Sequence, residues 1–282
     1  EALKSFTPQT GIRVKFVPFG YSSSLNKILL AAASGQVPDL VYSLPDWSME
    51  LYTRGAVVDL KRAYGDKWPS MEERFFPGAL HGLNYRGAQF GLPDNLWSQV
   101  VIYREDFFNQ YGWEVPTTWD DLYALLPKLR AQNKMFIYPY EISTHIEWGL
   151  PTAFAPFLYQ AGGDFWNEER TKSGFDSPEG KQAFKEFTEL YTKWGVPLEV
   201  NINKVWKDGE AAISAHSVCS IDQYRILAPD VTKVAPAFGH IRDGKLDKST
   251  NLFAWTVYVM EGSKHQKEAL QFLDWYFTLE PN

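Results

Sequence analysis

Residues 28–42 read ILLAAASGQVPDLVY and contain the end of one helix and the start of one strand. Ile28 and Ala32 are four positions apart on one apolar helix face, and Gly35 is a typical helix end. The apolar run at residues 37–42 that follows predicts a short, buried, parallel strand. A helix connected to a strand by so short a turn indicates a layered α/β architecture.

The alternation of short strands with longer helices continues on both sides of this segment. Ser177 followed by Pro178 is a strong helix start, and we expect Phe184 to face the core from that helix. Tyr276 is expected to face the core from the last helix. Three tryptophans on helix faces or helix starts are interpreted as core residues: Trp119, Trp194 and Trp275. Further predictions are a strand at 13–17, helices at 46–54 and from 118 onward, extended runs at 87–93 and 97–103, a strand at 252–260 and a helix at 268–277.

Composition excludes several classes of protein. The 282-residue chain has 28 basic and 34 acidic side chains and a net charge of −6, whereas nucleic-acid-binding proteins are usually basic. The single cysteine, Cys219, excludes an internal disulfide and a zinc site built from cysteines. No apolar run reaches the roughly 18–20 residues that a membrane-spanning helix needs. Aromatic residues make up 16% of the chain, and a surplus of Trp and Tyr is typical of proteins that stack on a ligand.

The usual catalytic and cofactor motifs are absent from the sequence. There is no GxxxxGK phosphate loop, no GxGxxG dinucleotide turn and no GxSxG nucleophile elbow. The five histidines are far apart in the sequence, and none is paired at the spacing of helical metal ligands. We therefore predict no catalytic residue, no cofactor and no metal. Two acidic residues that act on a glycosidic bond need no fixed spacing, so a glycoside-processing enzyme stays open as an alternative.

A series of short segments carries a family resemblance across nearly the whole chain. They are FTPQTGIRV at 6–14, the opening stretch at 28–42, GAQFGLP at 87–93, VIYREDF at 101–107 with PTTWDDL at 116–122, FDSPEG at 175–180, DGEAAI at 208–213 and GSK at 262–264. In this order they resemble the extracellular solute-binding proteins of bacterial ABC importers, the family that includes the maltose-binding protein. The match is closest at ASGQVPDL, which is similar to the family's ASGxxPDI pattern.

The resemblance implies a type II-like periplasmic binding protein fold of class α/β. Two α/β lobes are joined by hinge strands, with a ligand cleft between them. We assign residues 1–97 and 248–282 to lobe 1 and residues 98–247 to lobe 2. The family's opening strand in lobe 1 and its C-terminal helices in lobe 2 are missing from this sequence, so we expect the chain to be part of a longer protein.

The family implies an extracytoplasmic component of an ABC importer that captures a solute by hinge closure, usually a sugar or oligosaccharide. The expected partners are that small-molecule solute and a membrane permease, with no nucleic acid. The expected location is the periplasm, or the cell surface as a lipoprotein. We expect a monomer without enzyme activity. A sensor domain of the same fold with a receptor as partner is one alternative, and a ligand other than a sugar is another.

Twelve residues are predicted to contact the solute, because they resemble the family's contact positions or follow strands where α/β folds bind ligands. Asp46 has an alternative as a helix N-cap, and Trp47 faces either the ligand or the solvent. Trp97 either stacks on a ring or fills the hinge, and Trp148 has an equal alternative in the core. The predicted set is Tyr42, Ser43, Asp46, Trp47, Asn95, Trp97, Gln99, Glu141, Trp148, Trp255 and, in the loop where the family often has a stacking Trp, His216 and Ser217.

Overall fold

The structure, a computed structural model, describes residues 3–19, 24–139, 149–169 and 171–278. Its helices are α1 (Leu3–Thr10), α2 (Ser24–Ser34), α3 (Pro45–Thr53), α4 (Leu60–Tyr64), α5 (Trp68–Glu72), α6 (Pro77–His81), α7 (Glu105–Tyr111), α8 (Trp119–Ala131), α9 (Gly149–Gln160), α10 (Pro178–Thr192), α11 (Ile202–Lys207), α12 (Ile221–Leu227) and α13 (Gln266–Tyr276). Its strands are β1 (Leu40–Ser43), β2 (Asn84–Tyr85), β3 (Ala88–Gln89), β4 (Leu92–Trp97), β5 (Gln99–Arg104), β6 (Met135–Ile137), β7 (Ala211–Ser217), β8 (Thr232–Pro236), β9 (His240–Arg242), β10 (Lys245–Asp247) and β11 (Phe253–Val259). None of the described helices combines the length and apolar character needed to cross a membrane.

The chain folds into two compact units. The first consists of Glu1–Leu96 and Phe253–Asn282, and the second consists of Trp97–Leu252. The first unit is therefore discontinuous in sequence, since the chain leaves it near the end of β4 and returns to it at β11. The strands β5 and β11 belong to different sheets.

The first unit is built on a three-stranded sheet in the order β1-β11-β4, with β1 antiparallel to β11. Side chains alternate between the two faces of a strand. Val257 and Val259 accordingly pack in one apolar cluster with Leu273 of α13. Tyr258 packs in a second cluster with Ile28 of α2. Because β11 is buried on both faces, its sequence is a nearly continuous apolar run.

The second unit is built on a four-stranded sheet in the order β6-β7-β5-β8. In this sheet β5 is antiparallel to both of its neighbours, and β6 is parallel to β7. One apolar cluster joins Val101 to Trp119 and Phe157, which belong to β5, α8 and α9. The other joins Ile102 of the same strand to Trp206. The prediction that Trp119 is a core residue is confirmed, since its side chain is fully buried.

Three local predictions are wrong. Residues 13–17 form no strand, and the apolar Val14 and Phe16 of this segment are exposed. An alternating sequence becomes a strand only when a neighbouring strand pairs with it, which sequence periodicity does not report. The buried strand predicted at 37–42 is present as β1, but it runs antiparallel to its neighbour. Phe184 lies on the outer side of α10 and is 61% exposed.

Candidate functional site

Two aromatic rings are stacked on each other in the first unit. The rings of Tyr42 and Trp255 are stacked with centroids 5.4 Å apart and an interplanar angle of 6°. Tyr42 lies opposite Val257 in the register of β1 and β11, so Trp255 is its diagonal neighbour on the same face. Tyr42 is 47% exposed and Trp255 is half-buried. We call this pair the Tyr42–Trp255 platform, and part of it is open to solvent.

A carboxylate and a second phenol lie beside this platform. Asp94 is on β4, which flanks β11 on the side opposite β1. The hydroxyl of Tyr276, at the end of α13, donates to Asp94 Oδ1 at 3.1 Å. Burial, the charge of Asp94 and the hydrogen bond to it raise the pKa of Tyr276 to about 12. The same causes, burial first, raise the pKa of Tyr42 above its ordinary value.

The start of α3 brings a second carboxylate to the first unit. The N-cap of this helix is Leu44, and Asp46 lies in the first turn, so the interpretation of Asp46 as the cap itself is wrong. Acidic side chains in a first turn are stabilised by the helix dipole. Asp46 is exposed, and its charge is one cause of the raised pKa of Tyr258, behind burial. Trp47 follows it and is half-buried.

Two of the predicted contact residues lie in the interior. Ser43 is 2% exposed, and its Oγ is 3.0 Å from the hydroxyl of Tyr258. Gln99 is 3% exposed, and its Nε2 donates to the hydroxyl of Tyr138 at 2.8 Å. Both side chains bind other parts of the protein, so we leave Ser43 and Gln99 out of the proposed contact set.

The second unit places other predicted residues at the end of β7. His216 and Ser217 lie opposite Val100 and Gln99 in the pairing of β7 with β5. The Nδ1 of His216 is 3.4 Å from the hydroxyl of Tyr224. Burial lowers the pKa of His216 to about 4, so the ring is neutral at neutral pH. A neutral imidazole has one donor and one acceptor nitrogen, which suits a hydroxyl-bearing ligand.

The remaining predicted residues differ in how much the structure says of them. Asn95 is exposed on β4, and Trp97 is half-buried at the end of that strand. Glu141 and Trp148 lie outside the described residues. Within the described parts of the chain, no three His, Cys, Asp or Glu side chains are grouped so that they could hold a metal ion.

Sequence reasoning missed Asp94 and assigned Tyr276 to the core. The break at Pro93-Asp94-Asn95 in the extended run marked this stretch, but only Asn95 was singled out. Tyr276 is half-buried and uses its polar end on Asp94. A tyrosine on an otherwise apolar helix face is the one signal in the sequence that could have found this contact.

The two-unit α/β architecture, with a mixed sheet in the second unit and a chain that returns to its first unit, is that of the type II periplasmic binding proteins. The fold predicted from the sequence is thereby confirmed. The sequence profile of the family described as bacterial extracellular solute-binding protein matches residues 1–281, and the chain belongs to that family. The family and the similar proteins found are binding proteins.

Individual relatives are distant and bind different small molecules. A maltotriose-binding protein of Pyrococcus abyssi is 24% identical over 258 residues, which cover 90% of this chain and 53% of the relative. A mannitol-binding protein of Pseudomonas aeruginosa is 24% identical over 71% of this chain and 47% of the relative. The chain thus spans about half the length of the curated relatives it matches. The crystal structure of a cyclo/maltodextrin-binding protein complexed with maltotetraose has a TM-score of 0.75 and 24% identity, over 97% of this chain and 69% of that protein.

Proposed function

We propose that the protein is the extracytoplasmic solute-binding component of an ABC importer and that it captures a sugar or oligosaccharide. The observation that carries the proposal is the Tyr42–Trp255 platform, two parallel rings that are partly open to solvent. An aromatic face removes the apolar C–H face of a sugar ring from water, which is a favourable contact of aromatic recognition sites.

Polar groups for the sugar hydroxyls lie close to the platform within the first unit, and the second unit carries further predicted contact residues. Asp94 and Tyr276 lie beside it, and Asp46 lies at the start of the helix that follows β1. In the second unit, the neutral His216 and the half-buried Ser217 supply groups that both donate and accept hydrogen bonds. A small number of polar groups placed around apolar surface is the usual composition of a small-molecule site.

Family membership also supports the partner and the location that we propose. The partner is a membrane permease to which the loaded protein delivers its solute. The location is the periplasm or the outer cell surface, the latter as a lipoprotein. Capture by hinge closure stays a prediction from the family resemblance, as do the assignments of the lobes at residues 1–97, 98–247 and 248–282.

Removal of a platform ring tests the proposed function. We expect Tyr42→Ala to weaken sugar binding tenfold to a hundredfold, because loss of a stacking face costs on the order of 1–3 kcal/mol. Trp47→Ala is also expected to weaken sugar binding, because Trp47 is predicted to contact the sugar and directly follows Asp46. Both variants should keep nearly the melting temperature of the wild type, since neither ring is fully buried. Calorimetric titration with maltotriose, maltotetraose, mannitol and tagatose measures the affinity.

Trp166→Ala is the matched control, because Trp166 is 56% exposed and lies on a loop of the second unit before α10. It removes an exposed Trp from a position outside the proposed site, so sugar affinity should stay within twofold of the wild type. The proposed sugar specificity is wrong if the wild type binds none of the four compounds. The platform is wrong if Tyr42→Ala binds as tightly as Trp166→Ala.

A further inference from the structure

Asp94 connects two tyrosines that come from different ends of the sequence. Tyr276 donates to it from α13 at 3.1 Å, and the charge of Asp94 contributes to the raised pKa of Tyr42 on β1. The strands β1 and β4 are separated by β11, which is two strand spacings or roughly 9–10 Å. The ring of Tyr42 is stacked on Trp255 of β11, the strand that lies between them. We call Tyr42, Asp94 and Tyr276 the acceptor corner.

The proton positions in this corner follow from the chemistry of the three groups. A carboxylate has no proton to donate, so the hydrogen bond between Tyr276 and Asp94 uses the single O–H of Tyr276. Because this proton is directed at Asp94, the phenol oxygen of Tyr276 can offer only lone pairs to a ligand. The free lone pairs of Asp94 are also acceptors. Asp94 and Tyr276 thus present only acceptors to a ligand and need donors from it.

The charges around the corner have one sign. Asp94 is a main electrostatic cause of the raised pKa values of Tyr42 and Tyr276, and no described Lys or Arg acts on either group. At Tyr64, in contrast, the nearby Arg74 opposes the effect of an acidic neighbour. A ligand anion placed at the acceptor corner would therefore meet negative charge and lone pairs, and no described Lys or Arg that acts on these tyrosines would compensate it. A charge that loses water without gaining a partner is strongly unfavourable, and so are two hydrogen-bond acceptors that face each other.

We propose that the acceptor corner selects a solute that donates hydroxyl hydrogen bonds and carries no negative charge, so that neutral sugars or polyols bind and their carboxylate forms are rejected. This inference rests on the proposed function. Asp94 is the residue that contacts the solute, and Tyr276 is a positioning residue that holds Asp94.

The test compares each neutral compound with an analogue of nearly the same size. In the analogue, one CH₂OH group of maltotriose, maltotetraose, mannitol or tagatose is oxidised to a carboxylate, which adds charge with little added volume. We expect the wild type to bind the neutral member of a pair at least tenfold more tightly than the oxidised member. Asp94→Asn keeps the shape of the side chain but replaces one acceptor by a donor, so this ratio should fall at least threefold.

Tyr276→Phe provides a second variant that removes only the hydrogen bond to Asp94, and it should lower the ratio in the same direction. Tyr64→Phe is the matched control. The hydroxyl of Tyr64, on α4, donates to the backbone oxygen of Leu270 on α13, the helix that also carries Tyr276, and not to Asp94. This variant should leave the ratio unchanged. Circular dichroism confirms that each variant is folded before its affinities are compared.

Each outcome decides between the inference and the proposed function. An oxidised compound that binds as tightly as its neutral partner overturns the inference and leaves the proposed function in place. A ratio in Asp94→Asn and Tyr276→Phe equal to that of Tyr64→Phe also overturns it, since selection then arises elsewhere. Absence of binding by all eight compounds contradicts the proposed function, and the inference fails with it.

Discussion

His216 combines a titratable ring with a half-buried position at the end of β7. Its ring lies edge-on to Tyr224, with centroids 5.9 Å apart and an interplanar angle of 72°. Burial lowers the pKa of His216 to about 4, whereas an unfolded chain titrates near 6.5. Between these two values the unfolded state binds more protons than the folded state. The contribution of His216 to stability is therefore complete above pH 6.5 and is lost as the pH falls through 4.

Urea unfolding between pH 4 and 8 measures this effect. The difference between the two pKa values corresponds to roughly 3 kcal/mol, and we expect His216→Asn to remove most of the corresponding loss of stability at low pH. His265→Asn removes an exposed histidine and should keep the pH dependence of the wild type. If both variants lose stability with falling pH as the wild type does, His216 is not buried in its neutral form.

Sequence reasoning found some residues of the candidate site and misplaced others, because the sequence alone does not show which face of a sheet a side chain occupies. Tyr42 and Ser43 are consecutive on β1, so their side chains point to opposite faces of the sheet. Only Tyr42 could reach the face that carries Trp255, and Ser43 turns to the interior. The contact between Asp94 and Tyr276 joins residues 182 positions apart, and no local pattern reports such a pair.

Helix α8 shows how far local sequence determines an element. Thr118 Oγ1 accepts from the backbone N–H of Asp121 at 3.0 Å, and Asp121 Oδ2 accepts from the N–H of Thr118 at 2.9 Å. This reciprocal capping box satisfies two donors that the helix itself leaves free. The sequence predicted the helix start correctly, because all the groups concerned lie within four residues. Residues 13–17 failed the same kind of prediction because a strand depends on a distant partner.

Two adjacent acids of α8 allow a matched comparison. Asp121→Ala should lower the free energy of unfolding by about 1 kcal/mol, whereas Asp120→Ala, which also removes a charge from the first turn, should cost less. Hydrogen bonds from Thr118 lower the pKa of Asp121, so the difference between the variants should vanish as the pH falls through that lowered value. Denaturant unfolding at pH 7 and pH 2 measures both effects. Equal losses at pH 7 would show that the capping box contributes nothing beyond charge.

At the scale of the whole molecule, ligand binding and stability are linked. A ligand that binds only the folded state, at a concentration of 100 times its Kd, stabilises that state by about 2.7 kcal/mol. For a chain of this size we expect a rise in melting temperature of roughly 5–10 °C. The rise should be smaller in Tyr42→Ala at the same sugar concentration and unchanged in Trp166→Ala. A sugar that binds by calorimetry without raising the melting temperature contradicts this linkage.

The order of strands in the first unit has a consequence for how the protein is made. The central strand, β11, is flanked by β1 and β4, yet it is the last of the three to leave the ribosome. Until residue 259 has been synthesised, β1 and β4 have no strand between them and their backbone groups are unpaired. Closing this unit means joining chain segments that are separated by the whole of Trp97–Leu252, at an entropic cost that grows slowly with length. The strands of the second unit's four-stranded sheet all lie within one continuous segment. This sheet can therefore form during translation, before β11 of the first unit has been synthesised.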